Sequence, residues 1–391
     1  MEIRPDYLPF GRPDFSDEEI SAVTRVMKSG WVGMGPEVQA FEREFSDFTG
    51  GAQVVTVSSC TAALHLTLKE LGVGPDDEVI CPSLTWCSSA NAALYLGAKV
   101  VFCDVDAETF CVSPKSVLEV VTPQTKAVVV VHFGGLAVDV ESLSRLLPAH
   151  VQIVEDAAHA LGATYPNGNR VGSSGFPTCF SFYANKNLST AEGGAVATSN
   201  EKLAASVRSL RQHGLSADAW MRFSNTRKML YTPVGELGFK ANYTDLQASI
   251  GRVQLRRFQE LQSRRLEIAK YYRARLEAAS PKLVFQLNCD SESHARHLFP
   301  ILIPLQQLSI GRDDLLLQLR DRNIGATIHY TPLHQMPFYQ ETLGRFDLPV
   351  TDELGDRIMT LPISSSMTQH DAEYVCDHLI EVLANAAITA S

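Results

Sequence analysis

The sequence lacks the features that mark membrane, disulfide-bonded and metal-binding proteins. No apolar run approaches the ~18 residues that a membrane span needs, and the first residues contain no apolar stretch of the kind found in signal peptides. The eight cysteines form no C-x-x-C pair and lie mostly in apolar runs, which excludes a disulfide framework and a cysteine-based zinc site. We therefore expect a cytoplasmic protein with reduced thiols, no membrane contact and no bound metal.

The sequence also has fewer basic than acidic residues. The 34 lysines and arginines are outnumbered by 44 aspartates and glutamates, which leaves a formal net charge of -10. This balance excludes a general nucleic-acid binder, although a local basic pocket for a phosphorylated ligand is compatible with it. Internal repeats, low-complexity tracts and blocks of like charge are missing as well, so the 391 residues are available for two or three packed units.

The pattern of apolar residues indicates two units of different type. Residues 50 to about 200 alternate short β-branched runs with helical patterns, which predicts a mostly parallel sheet with crossover helices. Apolar residues at helical spacing predict one long helix from Leu246 to Ile268, and a later pattern of strand, helix and strand includes a predicted strand at Ala326–Ile328. We therefore expect an α/β fold, with a large domain over residues 1–260 that includes the N-terminal segment and a small C-terminal α+β domain over residues 261–391.

Two side chains of opposite charge follow predicted strands. Asp156 comes directly after the apolar run at residues 152–155, and Lys186 follows the run at residues 179–183. Because ligands of α/β sheets bind outside the carboxyl ends of the strands, both side chains are expected in one crevice. A lysine amine that forms a Schiff base and a carboxylate that keeps the pyridinium nitrogen protonated are what pyridoxal 5′-phosphate (PLP) requires. For the pair alone, surface or ion-pair roles stay open.

A phosphate site is predicted where a strand passes into a helix. The segment Val57–Leu64 passes from a strand into a helix and places hydroxyls and free backbone N–H groups at the helix start, where the helix dipole favours an anion. The alternative is that Ser59 or Thr61 only caps the helix. Ser181, five residues before Lys186, could reach the same phosphate, or its hydroxyl could be satisfied locally.

Two ring side chains are placed to contact a bound pyridine. Trp86 follows an apolar strand, a position from which a flat ring can cover one face of the cofactor. His159, three residues after Asp156, could hydrogen-bond the phenolic oxygen of the cofactor. The alternatives are a tryptophan buried in the core and a structural histidine.

Short motifs follow one another along almost the whole chain. They are Leu8–Pro13, Ser29–Val32, Ser59–Leu64, Asp156–His159, Ser181–Asn187 and Glu192–Gly194. With these motifs the chain resembles the DegT/DnrJ-type sugar aminotransferases, a branch of the fold type I PLP enzymes. It departs from their usual phosphate loop at Cys60, which replaces a glycine but leaves the backbone donors available.

The resemblance implies a role for each motif in holding PLP or its pyridoxamine form, PMP. It implies that Lys186 is the catalytic Schiff-base lysine and that Asp156 is the partner of the pyridinium nitrogen. It also implies that His159 contacts the phenolic oxygen and that Trp86 stacks on the ring. The residues that hold the phosphate are then Ser181, Cys60 and Thr61.

The segment at residues 238–245 resembles a family loop that crosses to the cofactor of the neighbouring subunit. The resemblance therefore implies a homodimer with shared active sites. Lys240 and Asn242 replace the usual asparagine and arginine of that loop. This pattern is most similar to the branch that makes UDP-4-amino-4-deoxy-L-arabinose. Substrate contacts are expected from His329 and from loops near Trp31, Gly35, Phe223 and Lys240.

The implied reaction is the transfer of an amino group from L-glutamate to C4 of a nucleotide-linked keto sugar by a ping-pong mechanism. A C3-keto sugar or a keto-inositol is the alternative acceptor. A second alternative is a PLP-dependent sugar dehydratase, in which histidine stands at the lysine position, and Lys186 argues against it. A third is a non-catalytic regulatory protein, against which the complete set of site motifs argues.

Overall fold

A computed structural model of the chain describes residues 2–215 and 233–388. The first part begins with two helices, α1 (Asp17–Ser29) and α2 (Pro36–Phe48). The strands that follow are β1 (Gln53–Val57), β2 (Glu78–Pro82), β3 (Lys99–Cys103), β4 (Thr125–Val131), β5 (Gln152–Asp156), β6 (Thr178–Ser181) and β7 (Gly194–Thr198). The helices among and after them are α3 (Cys60–Glu70), α4 (Ser88–Leu94), α5 (Pro114–Val120), α6 (Val140–Leu146) and α7 (Glu201–Leu210).

These strands form one seven-stranded sheet in the order β1-β7-β6-β5-β4-β2-β3. Strand β7 is antiparallel to both of its neighbours, and the other neighbouring strands are parallel. Strand residues on both faces are buried, and helices pack over each face in two separate apolar clusters. Runs rich in valine suit such a sheet because a parallel strand covered on both sides has no solvent face. Because β4, β5 and β6 are parallel, their carboxyl ends lie together at one edge of the sheet.

The second part of the chain contains a smaller sheet. Its elements are α8 (Asp245–Arg256), α9 (Phe258–Glu277), β8 (Val284–Phe285), β9 (Phe299–Leu302), α10 (Arg312–Arg320), α11 (Pro337–Leu343), α12 (Pro349–Arg357), β10 (Ile358–Leu361) and α13 (Gln369–Ala386). The three strands are antiparallel in the order β10-β9-β8, and α9, α10 and α13 close their own apolar core. Leu8 packs into this core, and the division predicted after residue 260 falls inside α9.

A carboxylate of the large sheet holds the small unit in place. Asp104 follows β3 and accepts hydrogen bonds from the backbone N–H groups of Val350 and Thr351, at 3.0 and 2.7 Å, in the first turn of α12. Free N–H groups at a helix start need acceptors, and a negative charge there is favoured by the helix dipole. The segment with His329 and Tyr330 precedes this helix and so is held over the strand ends of the large sheet. No helix in the described ranges is long and apolar enough to cross a membrane.

Candidate active site

A cavity of about 460 Å³ lies at the carboxyl ends of the central strands. Its wall combines the ends of β4, β5 and β6, the start of α3 and the loop that carries Tyr330. The lining includes most of the residues predicted for the cofactor, together with one predicted for the substrate: Cys60, Thr61, Trp86, Asp156, His159, Ser181, Lys186 and His329. The side chains of Asp156 and Lys186 therefore meet in one crevice, as their positions after two neighbouring strands predict.

Asp156 is the last residue of β5 and presents a fixed carboxylate. Its side chain is only 6% exposed. Oδ2 accepts a hydrogen bond of 2.7 Å from the Ser89 hydroxyl, and Oδ1 accepts one of 3.1 Å from the backbone N–H of Ala158. No cationic side chain in the described residues forms a salt bridge with this carboxylate, which leaves it available to a positively charged ligand group.

The start of α3 forms a cradle for an anion. Ser59 caps the helix, since its Oγ accepts the backbone N–H of Ala62 at 3.1 Å. The N–H groups of Cys60 and Thr61 have no partner within the helix, because the first-turn donors of any helix lack one. Strand β7 passes so close that a Cβ on Gly194 would lie 2.6 Å from the Cys60 nitrogen. Glycine at this position is what brings the sheet and the cradle together.

The predicted alternative for this helix start is partly realised. Ser59 does cap α3, whereas the Thr61 hydroxyl lies 2.7 Å from the Ser88 hydroxyl and faces the cavity lining. Capping by Ser59 and anion binding by the next two amides are compatible, because they use different donors of the same turn.

Lys186 reaches the cavity from a turn after β6. Its amine lies 3.2 Å from Nε2 of His297. Burial lowers the pKa of Lys186 to about 8, although the nearby Asp156 carboxylate acts in the opposite direction. Loss of hydration disfavours the charged form of an amine, so a large share of this lysine is neutral slightly above neutral pH. A neutral amine is the form that attacks a carbonyl or accepts a proton.

Two histidines of the lining are neutral. Burial lowers the pKa of His159 well below its usual value and the pKa of His329 to about 3, and the nearby Lys186 contributes to both shifts. His159 Nε2 lies 3.0 Å from the hydroxyl of Tyr330, and the two rings are stacked with centroids 6.0 Å apart. Nδ1 of each histidine is buried and lacks a hydrogen-bond partner among the described residues. Such atoms need a partner, and a bound ligand can supply it.

Trp86 stands at the mouth of the cavity. Its side chain is 60% exposed, so the alternative of a tryptophan buried in the core is wrong. Its ring centroid lies 5.9 Å from that of Tyr330 at an interplanar angle of 50°. An exposed indole beside a cavity offers a flat apolar face to a planar ligand.

Four predicted site residues lie away from the cavity of their own chain. Gly35 donates its N–H to Asp245 at 2.8 Å, and Trp31 donates its indole N–H to the Met34 carbonyl at 3.1 Å. Asn242 donates its amide to the adjacent Tyr243 carbonyl, and the backbone of Lys240 forms an isolated bridge with Gln212. Phe223 lies outside the described residues.

The structure also gives contacts to residues for which the sequence predicted no role, including Asn187 at the end of the Ser181–Asn187 motif. His297 and Asn187 lie behind Lys186, and Tyr330 lies against His159. His297 precedes β9 of the small unit, more than one hundred residues from the lysine that it contacts, and no local spacing connects them. Tyr330 directly follows His329, and its aromatic ring beside a predicted site residue was the one available signal.

The lining fits PLP. It combines one amine, one fixed carboxylate, an anion cradle, an exposed ring and unpartnered buried imidazole nitrogens on a single cavity. These are the groups that a phosphorylated pyridine aldehyde needs for its aldehyde, ring nitrogen, phosphate and phenolic oxygen.

The comparisons with known proteins agree with this fit. Residues 13–380 match the model of the DegT/DnrJ/EryC1/StrS aminotransferase family. The chain is 40% identical over 390 residues to the spore coat polysaccharide biosynthesis protein SpsC of Bacillus subtilis, covering 99% of this chain and 100% of SpsC.

Solved structures of sugar aminotransferases share the fold. The putative sugar aminotransferase Spr1654 from Streptococcus pneumoniae, in its PMP form, superposes with a TM-score of 0.88 at 30% identity, covering 96% of this chain and 99% of that one. PseC of Helicobacter pylori, an aminotransferase involved in pseudoaminic acid biosynthesis, superposes with a TM-score of 0.89 at 25% identity, covering 97% and 100%. The chain belongs to the DegT/DnrJ/EryC1/StrS aminotransferase family and is a PLP-dependent sugar aminotransferase of fold type I.

Proposed function

We propose that this aminotransferase transfers an amino group from L-glutamate to the C4 keto carbon of a nucleotide-linked sugar. The observation that carries the proposal is the placement of the Lys186 amine and the Asp156 carboxylate on one cavity, with the α3 anion cradle beside them. The choice of C4 is supported by the Lys240-x-Asn242 pattern, which resembles enzymes that aminate this carbon.

The phosphate end of the cofactor is assigned to the α3 cradle. The backbone N–H groups of Cys60 and Thr61, with the hydroxyls of Thr61 and Ser181, surround this end of the cavity. Donors at a helix start are already oriented, so they bind a dianion without reorganisation. These donors would hold the phosphate of PLP and would keep the ring within the cavity that Lys186 lines.

The other end of the ring is assigned to Asp156 and His159. Asp156 keeps a proton on the ring nitrogen, and bound PLP then supplies an electron sink for the carbon next to the substrate nitrogen. Burial strongly raises the pKa of Tyr330, so its hydroxyl stays protonated. We assign this hydroxyl as the donor to Nε2 of His159, which lies 3.0 Å away. Nδ1 of His159 consequently carries a hydrogen, which it donates to the phenolic oxygen. Trp86 covers one face of the ring.

Lys186 is the group that moves protons. Its amine would hold PLP at the aldehyde and, when released, would accept and return a proton at the substrate carbon. A pKa near 8 suits this work, because an effective general base has a pKa close to the working pH. Because this one cavity would serve the amino donor and the acceptor in turn, we expect ping-pong kinetics.

We propose further that the enzyme is a homodimer whose two sites each use residues from both subunits. The support is that Lys240, Asn242, Trp31 and Gly35 lie outside the cavity of their own chain, although the family resemblance assigns them to an active site. A second copy would bring them to the partner's cavity.

Complementation between inactive variants tests this arrangement. When Lys186→Ala and Lys240→Ala proteins are unfolded and refolded together, mixed dimers contain one intact site, and we expect activity to return. Lys186→Ala mixed with Asp156→Asn is the matched control, because both residues line the same chain's cavity and mixing restores no site. Equal recovery in both mixtures, or a sedimentation mass of one 42.9-kDa chain, would contradict the shared site.

The acceptor is tested with the PMP form and a panel of UDP-, dTDP- and GDP-linked 3-keto and 4-keto sugars. We expect amination of a 4-keto sugar, identified by NMR of the product. In a separate experiment that starts from the PLP form, we expect L-glutamate to convert PLP to PMP. Amination confined to 3-keto sugars or keto-inositols would refute the C4 assignment. Loss of a sugar hydroxyl without gain of an amine would indicate a dehydratase instead.

A further inference from the structure

The amine of Lys186 has a neighbour that no part of the proposed reaction uses. Nε2 of His297 lies 3.2 Å from Nζ of Lys186. His297 is only 3% exposed and lies two residues before the central strand of the small sheet. Its ring packs against that of His159, with centroids 4.6 Å apart. The small unit therefore places an imidazole behind the lysine.

A second contact fixes which nitrogen of His297 carries the hydrogen. Asn187 donates its side-chain Nδ2 to the carbonyl of Ala295 at 2.7 Å. Because a flipped amide would place oxygen against that carbonyl, Oδ1 of Asn187 is the atom that faces Nδ1 of His297, at 3.2 Å. An amide oxygen only accepts, so Nδ1 carries the hydrogen and the lone pair of Nε2 points at Lys186.

The surroundings keep this imidazole neutral. Burial lowers the pKa of His297 well below its usual value, and the nearby charge of Lys186 acts in the same direction. The titratable and charged groups that face Lys186 and His297 come from three elements and two loops. They are Asp156 on β5, Cys60 on α3, Arg265 on α9, His159 after β5, and His329 in the loop before α11. A neutral ring in the fixed tautomer can accept a hydrogen bond and cannot donate one to the lysine.

We propose that His297 is a positioning residue that accepts a hydrogen bond from the Lys186 amine whenever that amine is not bonded to the cofactor, with Asn187 locking the ring in the accepting tautomer. The inference rests on the proposed role of Lys186. In each half of the reaction the lysine is released, and a flexible side chain with four carbons in its stem has many other rotamers. A fixed acceptor keeps the amine beside the cavity and stabilises the ammonium form when it carries the substrate proton.

The proton affinity of Lys186 tests the contact without any need for catalysis. The full-length cofactor-free protein is labelled with trace acetic anhydride across a pH series, and the Lys186 peptide is quantified by mass spectrometry against exposed Lys270. In His297→Phe we expect the pKa of Lys186 to fall by about one unit, because a hydrogen bond to the charged form is lost. In His297→Gln, whose amide oxygen can accept, we expect a value close to that of the unmodified protein.

Two further variants make the result decisive. His378→Phe changes another buried histidine that does not line the cavity, and it should leave the Lys186 pKa unchanged. Asn187→Leu leaves His297 in place but removes the tautomer lock, and it should lower the Lys186 pKa even if His297→Phe does not fold. An unchanged Lys186 pKa in His297→Phe or in Asn187→Leu overturns the proposal. That outcome is separate from failure of the proposed function, which shows instead as full transamination by Lys186→Ala.

Discussion

Replacing Lys186 with alanine is expected to lower the rate of the L-glutamate half-reaction by roughly 10⁴-fold, the upper range for loss of a general acid–base group. The remaining cavity still offers the α3 cradle and the Asp156 carboxylate, so PLP or PMP should bind without a covalent bond to the protein. The variant should therefore lose turnover while it keeps cofactor, which separates the role of the amine from the role of the binding site.

Stopped-flow absorbance of the loaded variant, mixed with excess L-glutamate, measures this rate directly. Lys270→Ala is the matched control, because this lysine is exposed on α9 and distant from the cavity lining. Partial recovery with added small primary amines is expected, since these can enter the space left by the side chain and carry the proton. Transamination at the rate of the unmodified enzyme would remove Lys186 from the mechanism.

Most of the large sheet could be predicted from local patterns. Where strands and crossover helices were predicted to alternate, the structure has strands at Gln53–Val57, Lys99–Cys103 and Gln152–Asp156 and a helix at Val140–Leu146. These elements are predictable because the apolar spacing agrees with the residues that flank them. The β-branched runs end at turn residues, and α3, α5 and α6 start at capping side chains. The fold type follows from this alternation.

Two predicted elements are wrong because their ends are set by distant contacts. The helix predicted from Leu246 to Ile268 is two helices that meet at Arg257, although the apolar spacing continues across the junction and no glycine or proline marks it. The Arg257 guanidinium instead binds Asp14 and Glu19 near the N-terminus, at 3.0 and 2.9 Å. The predicted strand Ala326–Ile328 forms only an isolated bridge at Thr327.

The residues of the candidate site likewise fall into those predictable from local sequence and those set by distant contacts. Asp156, Lys186 and the α3 start were predictable because each sits next to a strand end, where an α/β sheet places its ligands. His297 and Tyr330 were not, since their roles depend on how the small unit packs against the large sheet. Asn187 closes the predicted Ser181–Asn187 motif, but its contacts with Ala295 and His297 depend on the same packing. Asp104 illustrates the cause: the hydrogen bonds that dock α12 connect residues 246 and 247 positions apart in the chain.

Strand alternation separates two neighbouring carboxylates on β5. Glu155 and Asp156 point to opposite faces because side chains alternate along a strand. Glu155 is fully buried and accepts hydrogen bonds from four side chains of its own face: His132 at 2.8 Å, Tyr165 at 2.7 Å, Thr178 at 3.0 Å, and Ser174. Asp156 accepts one side-chain hydroxyl, one backbone N–H and, at 3.8 Å, the weakly donating Cys60 thiol, and it lines the cavity. Glu155 is thus a structural acceptor, whereas Asp156 has capacity left for a ligand.

Changing each carboxylate to its amide should therefore affect different properties: Asp156→Asn the reaction rate and Glu155→Gln the stability of the fold. In Asp156→Asn we expect the L-glutamate half-reaction to slow by roughly 10²- to 10³-fold, as for loss of one preorganised electrostatic group. The cofactor-free protein should unfold at nearly the normal temperature, because an asparagine can keep both contacts with Ser89 and Ala158. In Glu155→Gln the amide group faces hydroxyl and imidazole donors, so unfolding should become easier by about 1–3 kcal/mol.

Stopped-flow rates of the PLP-loaded proteins and thermal unfolding of the cofactor-free proteins measure the two effects independently. The spectrum of bound PLP adds a direct readout, because its absorbance depends on whether the ring nitrogen is protonated, and only Asp156→Asn should change it. A slow Asp156→Asn enzyme with an unchanged spectrum would show that the carboxylate acts on something other than the ring nitrogen. A Glu155→Gln enzyme of normal stability with an altered spectrum would reverse the assignment of the two faces of β5.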